Sequence, residues 1–167
     1  VILRILIFIY VGLTLTTTML LKYAGMSWFD AVSHAMSSCS TCGFSTKNAS
    51  IAFYDSAAIE GILIASMAIA SIHFGILYAT ITGRKNNIFR SEVVRTYIAM
   101  LLTVSVVVAI SLRAEGIYDS FAQAIRHASF QVVSLASTSG FATADTNGWT
   151  PLAMVLLIFC SVICGCA

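Results

Sequence analysis

The sequence predicts an all-α membrane protein made of two tandem units, each a helix, a re-entrant pore hairpin and a second helix. Three observations predict it. Hydrophobic residues make up 59% of the 167 positions and charged residues 10%, whereas about a quarter of a soluble domain is charged. Long apolar runs occur four times, near residues 5–21, 57–82, 93–112 and 152–167, and a bilayer span takes roughly 20 apolar residues. The string Ser-Thr-x-Gly-Phe-x-Thr appears twice, as STCGFST from Ser40 and as STSGFAT from Ser137.

The first run is longer than the roughly 7–15 apolar residues of a signal peptide, and no small-x-small cleavage site follows it, so it reads as a spanning helix. Phe29-Asp30 then opens a moderately apolar helical segment over residues 29–39 that runs into the first Ser-Thr-x-Gly loop. A polar stretch and the second span, 57–82, complete unit one. After a charged loop the order repeats: a span at 93–112, Tyr118-Asp119, a helical segment at 127–136, the second loop, and a last apolar run from Leu152. The expected division is 1–83 for the first unit, 84–92 for a solvated loop and 93–167 for the second, cut short in its last helix. Asp119 stands 21 residues before Gly140, whereas Asp30 stands 13 before Gly43. The difference of about two helical turns predicts an added turn or a kinked lead-in. With Val1 at one end and an apolar run stopping at Ala167 at the other, the chain is expected to be an internal piece of a longer membrane protein.

Cys39 and Cys42 form a Cys-x-x-Cys pair, which suggests a metal or dithiol site. Superposing the two loops argues against it, because Ala136 falls opposite Cys39 and Ser139 opposite Cys42, while Ser, Thr, Gly, Phe and the final Thr recur. Zinc also needs two more ligands, and His34 is the one nearby candidate. Cys160, Cys164 and Cys166 lie in one apolar run and read as packing residues.

Irregular backbone at membrane depth leaves N–H and C=O groups that must be satisfied by protein or by a wet cavity. A cation suits a short loop of carbonyls and hydroxyls, since these oxygens replace its hydration shell. Glycine admits the positive φ that turns carbonyls to one side, so Gly43 and Gly140 are the leading candidates, and a side chain there is expected to find room on the wet side of the loop. The helical segments leading into each loop would aim their negative C-terminal ends at the same spot.

Other residues have plainer readings. His73, Ser66 and Ser71 read as interhelical hydrogen-bonding positions, and His34 and His127 as structural. Phe44 and Phe141 are expected to wedge each loop against its own helix. Trp28, Tyr54 and Trp149 are placed as interfacial anchors. Arg4, Arg84, Lys85, Arg90 and Arg95 mark the cytoplasmic ends, which puts the loop at 84–92 inside and both hairpins open outward. The outer side carries a mild excess of acid: Asp30, Asp55, Glu60, Glu115, Asp119 and Asp145 against Lys22, Lys47, Arg113 and Arg126.

The small net charge of +2 and the lack of a basic patch exclude a nucleic-acid surface. No Ser-His-Asp order, phosphate loop or paired carboxylates mark an enzyme. A membrane receptor or assembly subunit with merely structural loops remains as a rival, one that gives no reason for carrying the loop twice.

The phrases SHAMSSCSTCGFST and SFQVVSLASTSGFATAD, together with the paired loops, resemble the second and third repeats of the Trk/Ktr/HKT superfamily of potassium-uptake proteins, TrkH type, over essentially the whole chain. The resemblance implies a four-repeat cation channel-like fold in the bacterial plasma (inner) membrane, multi-pass, with one filter glycine per repeat. It implies K+ as the transported ion, held at Gly43 and Gly140 with Thr41, Cys42, Thr138 and Ser139 lending oxygens just before them, and Phe44 and Phe141 as filter support. No covalent cofactor is implied. The partners implied are the first and fourth repeats of the same protein, a second copy in a homodimer, a cytoplasmic nucleotide-binding regulatory subunit and the lipid bilayer. Members of the superfamily carry a glycine-rich gating loop in the broken second helix of the third repeat, which would begin just past residue 167. A sodium-passing or Na+/K+-coupled member of the same superfamily is the nearer alternative.

Overall fold

The computed structural model describes residues 2–72, 76, 80 and 91–165. Its regular elements are helical, with no strand among the described residues. Helix α1 spans Ile2–Tyr23, α2 Trp28–Cys39, α3 Ala57–Ala70, α4 Glu92–Ala114, α5 Phe121–Ala136 and α6 Pro151–Gly165. Short 3-10 turns at Ser50–Tyr54 and Thr146–Gly148 lead into α3 and α6. Each half therefore reads long helix, short helix, irregular loop, 3-10 turn, apolar helix. Among the described residues two helices are long and apolar enough to cross a membrane, Arg4–Tyr23 and Glu92–Ala114.

The threonines of α1 fit an apolar helix because their hydroxyls bond back along it. Thr14, Thr16 and Thr18 each donate to the carbonyl four residues earlier at 2.8 Å, which satisfies their hydroxyls within the helix, while Thr17 is buried. The short helices start on side-chain caps. Ser27 Oγ accepts from the Asp30 amide and Ser120 Oγ from the Ala122 amide, each satisfying one of the amides that a helix N-terminus leaves without a partner. Pro151 occupies the first position of α6, where its missing N–H costs nothing, and Thr150 Oγ1 accepts from the Ala153 amide.

Within each half the short helix packs on its long partner, α2 on α1 and α5 on α4, and α3 bridges the halves by contacting α2 and α5. Small residues line these seams: Ala31 and Ala35 on α2, Ala124 and Ala128 on α5, and Ala109 on α4 are buried. In lipid, close approach through small residues stands in for water exclusion as the packing drive.

Four expectations change. The second short helix begins at Phe121, not near His127, so α5 is 16 residues against 12 for α2. Four extra residues make about one turn; the rest of the spacing difference arises because Tyr118-Asp119 precedes the Ser120 cap, whereas Asp30 lies inside the first turn of α2. Helix α3 closes at Ala70, with the Ser71 amide on Met67 O, so the expected span at 57–82 is broken at 71–72, with residues 76 and 80 helical beyond the break. Trp149 is 6% exposed and belongs to the core, and Tyr54 packs against that core, so of the three supposed anchors Trp28 alone is exposed. His73, Arg84, Lys85, Arg90 and Cys166 lie outside the described residues, as does the expected loop at 84–92 except for its last two residues, Ser91 and Glu92, of which Glu92 opens α4.

Candidate functional site

The two Ser-Thr-x-Gly loops meet. An ideal Cβ built on Gly43 would fall on the Ser139 carbonyl oxygen, with the Ser139 carbonyl carbon at 2.9 Å and that of Gly140 at 3.3 Å. Beside this contact the amides of Ile51 and Ala52 both donate to Ala142 O at 3.1 Å. The Ala142 amide donates to Ser50 Oγ at 3.3 Å. The segment after one Ser-Thr-x-Gly loop is thus tied to the segment after the other.

Each loop leaves its helix by the same turn. The amides of Thr41 and Cys42 donate to Ser38 O and Ser37 O, and those of Thr138 and Ser139 donate to Leu135 O and Ser134 O. This is the Schellman pattern, which places a left-handed residue just past the helix end, usually glycine. Here that residue is threonine: φ is 53° at Thr41 and 58° at Thr138. Two residues on, Gly43 and Gly140 have φ of 69° and 80°, so left-handed residues alternate with Cys42 and Ser139, which lie outside that region. A β-branched residue at positive φ is costly, and its occurrence twice at matching positions marks a strained, over-determined backbone of the kind found at functional sites.

The hydrogen bonds show which polar groups the loops leave free. Alternating right- and left-handed residues often form a nest of free N–H groups that binds anions. In these loops the amides of Ser40, Thr41 and Cys42, and of Ser137, Thr138, Ser139 and Gly140, are spent on carbonyls of their own helices. Among the described residues no hydrogen bond ends on a carbonyl at positions 40–43 or 137–140. Apart from the Gly43 amide, for which there is no acceptor among the described residues, what the loops leave unpaired is oxygen.

Supports behind the loops are also paired. Ser134 O accepts the amides of Ser139 and Gly140, and Ser134 Oγ donates to Phe141 O at 2.7 Å. Its twin Ser37 accepts the Cys42 amide and holds the Cys42 thiol at 3.2 Å. On α2, His34 is fully buried, with Nδ1 at Asp30 O and Nε2 at Ser45 Oγ, 2.7 and 2.9 Å. At the matching place on α5, Gln131 donates to Ala144 O. One turn earlier, Asp30 accepts from Thr46 Oγ1 at 2.6 Å, and His127 stands 3.3 Å from Thr143 Oγ1. The final Thr of each repeated string therefore meets a side chain of its own short helix, at matching positions. The Thr46 hydroxyl, aided by Lys47 at 3.6 Å, holds the Asp30 carboxyl down at about 2.

Sequence-predicted residues fare unequally. Gly140 has open space at its Cβ position, as expected, whereas Gly43 has none. Phe141 is 1% exposed and its ring lies 5.9 Å from that of His34, so it packs across onto the other half's short helix. Phe44 is 66% exposed and supports nothing among the described residues. Cys39 is buried at the end of α2 and Cys42 exposed in the loop, both as free thiols. Ser66 reaches α2 through Ser38 at 3.2 Å, and Ser71 reaches Tyr97 of α4 at 2.8 Å. Sequence reasoning missed the strained threonines and the pair formed by Glu60 and Arg126, whose partners stand 66 residues apart.

The comparisons decide the family. A family model described as TrkH, cation transport protein, matches residues 1–167. The chain belongs to this family. It is 37% identical over 161 residues to the Trk system potassium uptake protein TrkH of Salmonella typhimurium, covering 95% of this chain and 33% of that protein. It is 35% identical to the TrkH of Halomonas elongata, covering 96% of this chain and 33% of the relative. The crystal structure of the potassium transporter TrkH from Vibrio parahaemolyticus superposes with a TM-score of 0.88 at 31% identity, covering 94% of this chain and 34% of that one. The chain thus spans about a third of the length of the relatives it matches. The all-helical fold read from the sequence is that of the matched TrkH structure.

Proposed function

We propose that the chain supplies two walls of a potassium-selective filter in a multi-pass, inner-membrane potassium-uptake protein, with K+ coordinated by backbone oxygens of Thr41, Cys42, Gly43, Thr138, Ser139 and Gly140. One observation carries this reading. The loops touch, seven of the eight amides at positions 40–43 and 137–140 are spent on their own helices, and the eight carbonyls at those positions are left without donors. Such a ring of oxygens replaces the hydration shell of a cation. The ends of α2 and α5 add partial negative charge, reduced where the Schellman bonds cover terminal carbonyls.

The relatives named as potassium uptake proteins support K+ as the ion. The remaining walls come from further repeats of the same protein. The two open positions fit this arrangement: Gly140 lacks the neighbour that Gly43 has, and Phe44 lacks the packing that Phe141 has. A second copy and a nucleotide-binding cytoplasmic subunit complete the assembly, with residues 84–92 on the cytoplasmic side. The functional units are 1–83 and 93–167. The test is growth at low K+ of cells without their own uptake systems, expressing the full-length protein. Rescue by K+ uptake is expected; uptake of Na+ in preference to K+ would favour the sodium-passing alternative.

A further inference from the structure

Arg126, on α5, makes a two-pronged contact with Glu60 on α3. Its Nε donates to Oε2 and one terminal nitrogen to Oε1, both at 2.7 Å, and that nitrogen also reaches Asp55 Oδ1 at 3.0 Å. The Glu60 side chain is 3% exposed, Arg126 28% and Asp55 84%. A buried ion pair is poor evidence of stability, because well-packed apolar residues often do as well, and its better-attested use is to fix register. The surroundings of this pair give it something to fix.

Helix α3 touches both short helices through polar groups six residues apart: Glu60 holds Arg126 on α5, and Ser66 donates to Ser38 on α2. Ser38 accepts the Thr41 amide, and Arg126 lies ten residues before the end of α5. Ten helical residues make a rigid arm of about 15 Å, so anchoring Arg126 anchors the far end carrying Thr138. The two loops press on each other at Gly43 and Ser139, where a small slide of α5 would change the spacing of both sets of carbonyls. The positions matching this pair 97 residues away hold Phe29 and Leu157, so the clamp belongs to this one seam.

We propose that Glu60 and Arg126 are positioning residues that lock the register between the two loops and thereby set ion preference, an inference that rests on the filter reading above. Arg is suited to it, since its planar fork matches a carboxylate at two points where Lys offers one.

The experiment uses the full-length protein, reading the K+/Na+ uptake ratio at matched membrane expression together with the thermal midpoint of the purified protein. Glu60→Gln and Arg126→Gln should each lower the ratio about tenfold, a coupling of ordinary size for contacting residues. Arg126→Lys should recover part of it, and the exchange Glu60→Arg with Arg126→Glu more than either single change. Asp55→Asn should leave the ratio unchanged, because exposed pairs contribute little. If the single variants fail to fold, the double variant Glu60→Leu with Arg126→Leu removes both charges and keeps the packing; it should fold with a lowered ratio. A wild-type ratio in that double variant would overturn the proposal. A wild-type protein that carries neither ion would instead sink the filter reading, and the clamp would then stand or fall on whether the two substitutions are coupled in their thermal midpoints.

Discussion

The carbonyl of Ser139 occupies the place that a side chain on Gly43 would need. Gly140, its twin in the repeated string, has nothing within 4 Å of the same position. Both have positive φ, so a side chain costs about 1–2 kcal/mol of backbone strain at either one. Only Gly43 adds a collision with backbone. Gly43→Ser in the full-length protein should therefore lower the thermal midpoint and membrane yield, whereas Gly140→Ser folds and shows its effect as reduced preference for K+ over Na+. Thermal melts and paired ion-uptake assays on both variants check this. Equal losses of stability would mean the two loops are equivalent, against the contact described.

Thr41 and Thr138 sit where a Schellman turn favours glycine. Thr138→Gly should leave stability unchanged or raise it by up to about 1 kcal/mol, as relieved strain is partly offset by greater freedom of the unfolded chain. Ion preference should fall, because the backbone is no longer held in one conformation. A drop in stability above about 1 kcal/mol would show that the threonine side chain, rather than the ion path, accounts for its presence.

Cys42 should be replaceable. Ser139 stands at its matching place, and the Cys42 thiol's contacts, with Ser37 at 3.2 Å and with Ser40 and the Phe44 backbone, are ones a hydroxyl can also make. Cys42→Ser is expected to leave K+ uptake near wild type, measured as the rate at saturating K+. Loss of uptake together with zinc in the purified protein would revive the Cys-x-x-Cys reading.

Asp30, at the start of α2 and outside the spanning helices, has its carboxyl lowered to about 2 by the Thr46 hydroxyl and Lys47. A carboxyl whose folded value lies below its unfolded value stabilises the fold above the unfolded value and loses that contribution as pH falls towards the folded one. Amide-exchange protection of residues 45–47, relative to Asp30→Asn, should thus be constant from neutral pH down to about 4 and shrink between about 4 and 2. Loss already at pH 6 would point to His34, not Asp30, as the group that holds the loop.

The helix–loop–helix order, its duplication and the positive φ of Gly43 and Gly140 were legible in the sequence because each has a local cause: apolar run length, a repeated string, an achiral residue where left-handed backbone is needed. The left-handed threonines were not, since nothing in a Ser-Thr-x-Gly string says that Thr will end a helix where glycine usually does. The start of α5 was missed because Ser120 looks like any loop serine until its Oγ caps an amide. Trp149 was taken for an interfacial anchor by residue type, and tertiary packing placed it in the core. The Glu60 and Arg126 pair joins residues far apart in the chain, and sequence charge patterns reach only a helical turn or two.

The central claim is that the loops at 40–43 and 137–140 line one path for a cation. The most direct measurement is anomalous diffraction from crystals of the full-length protein grown in rubidium, an electron-rich stand-in for K+. The account predicts rubidium peaks between the carbonyls of Thr41, Cys42 and Gly43 on one side and of Thr138, Ser139 and Gly140 on another, at distances of ion coordination. Peaks confined to other parts of the protein, with these carbonyls facing protein or empty space, would contradict it.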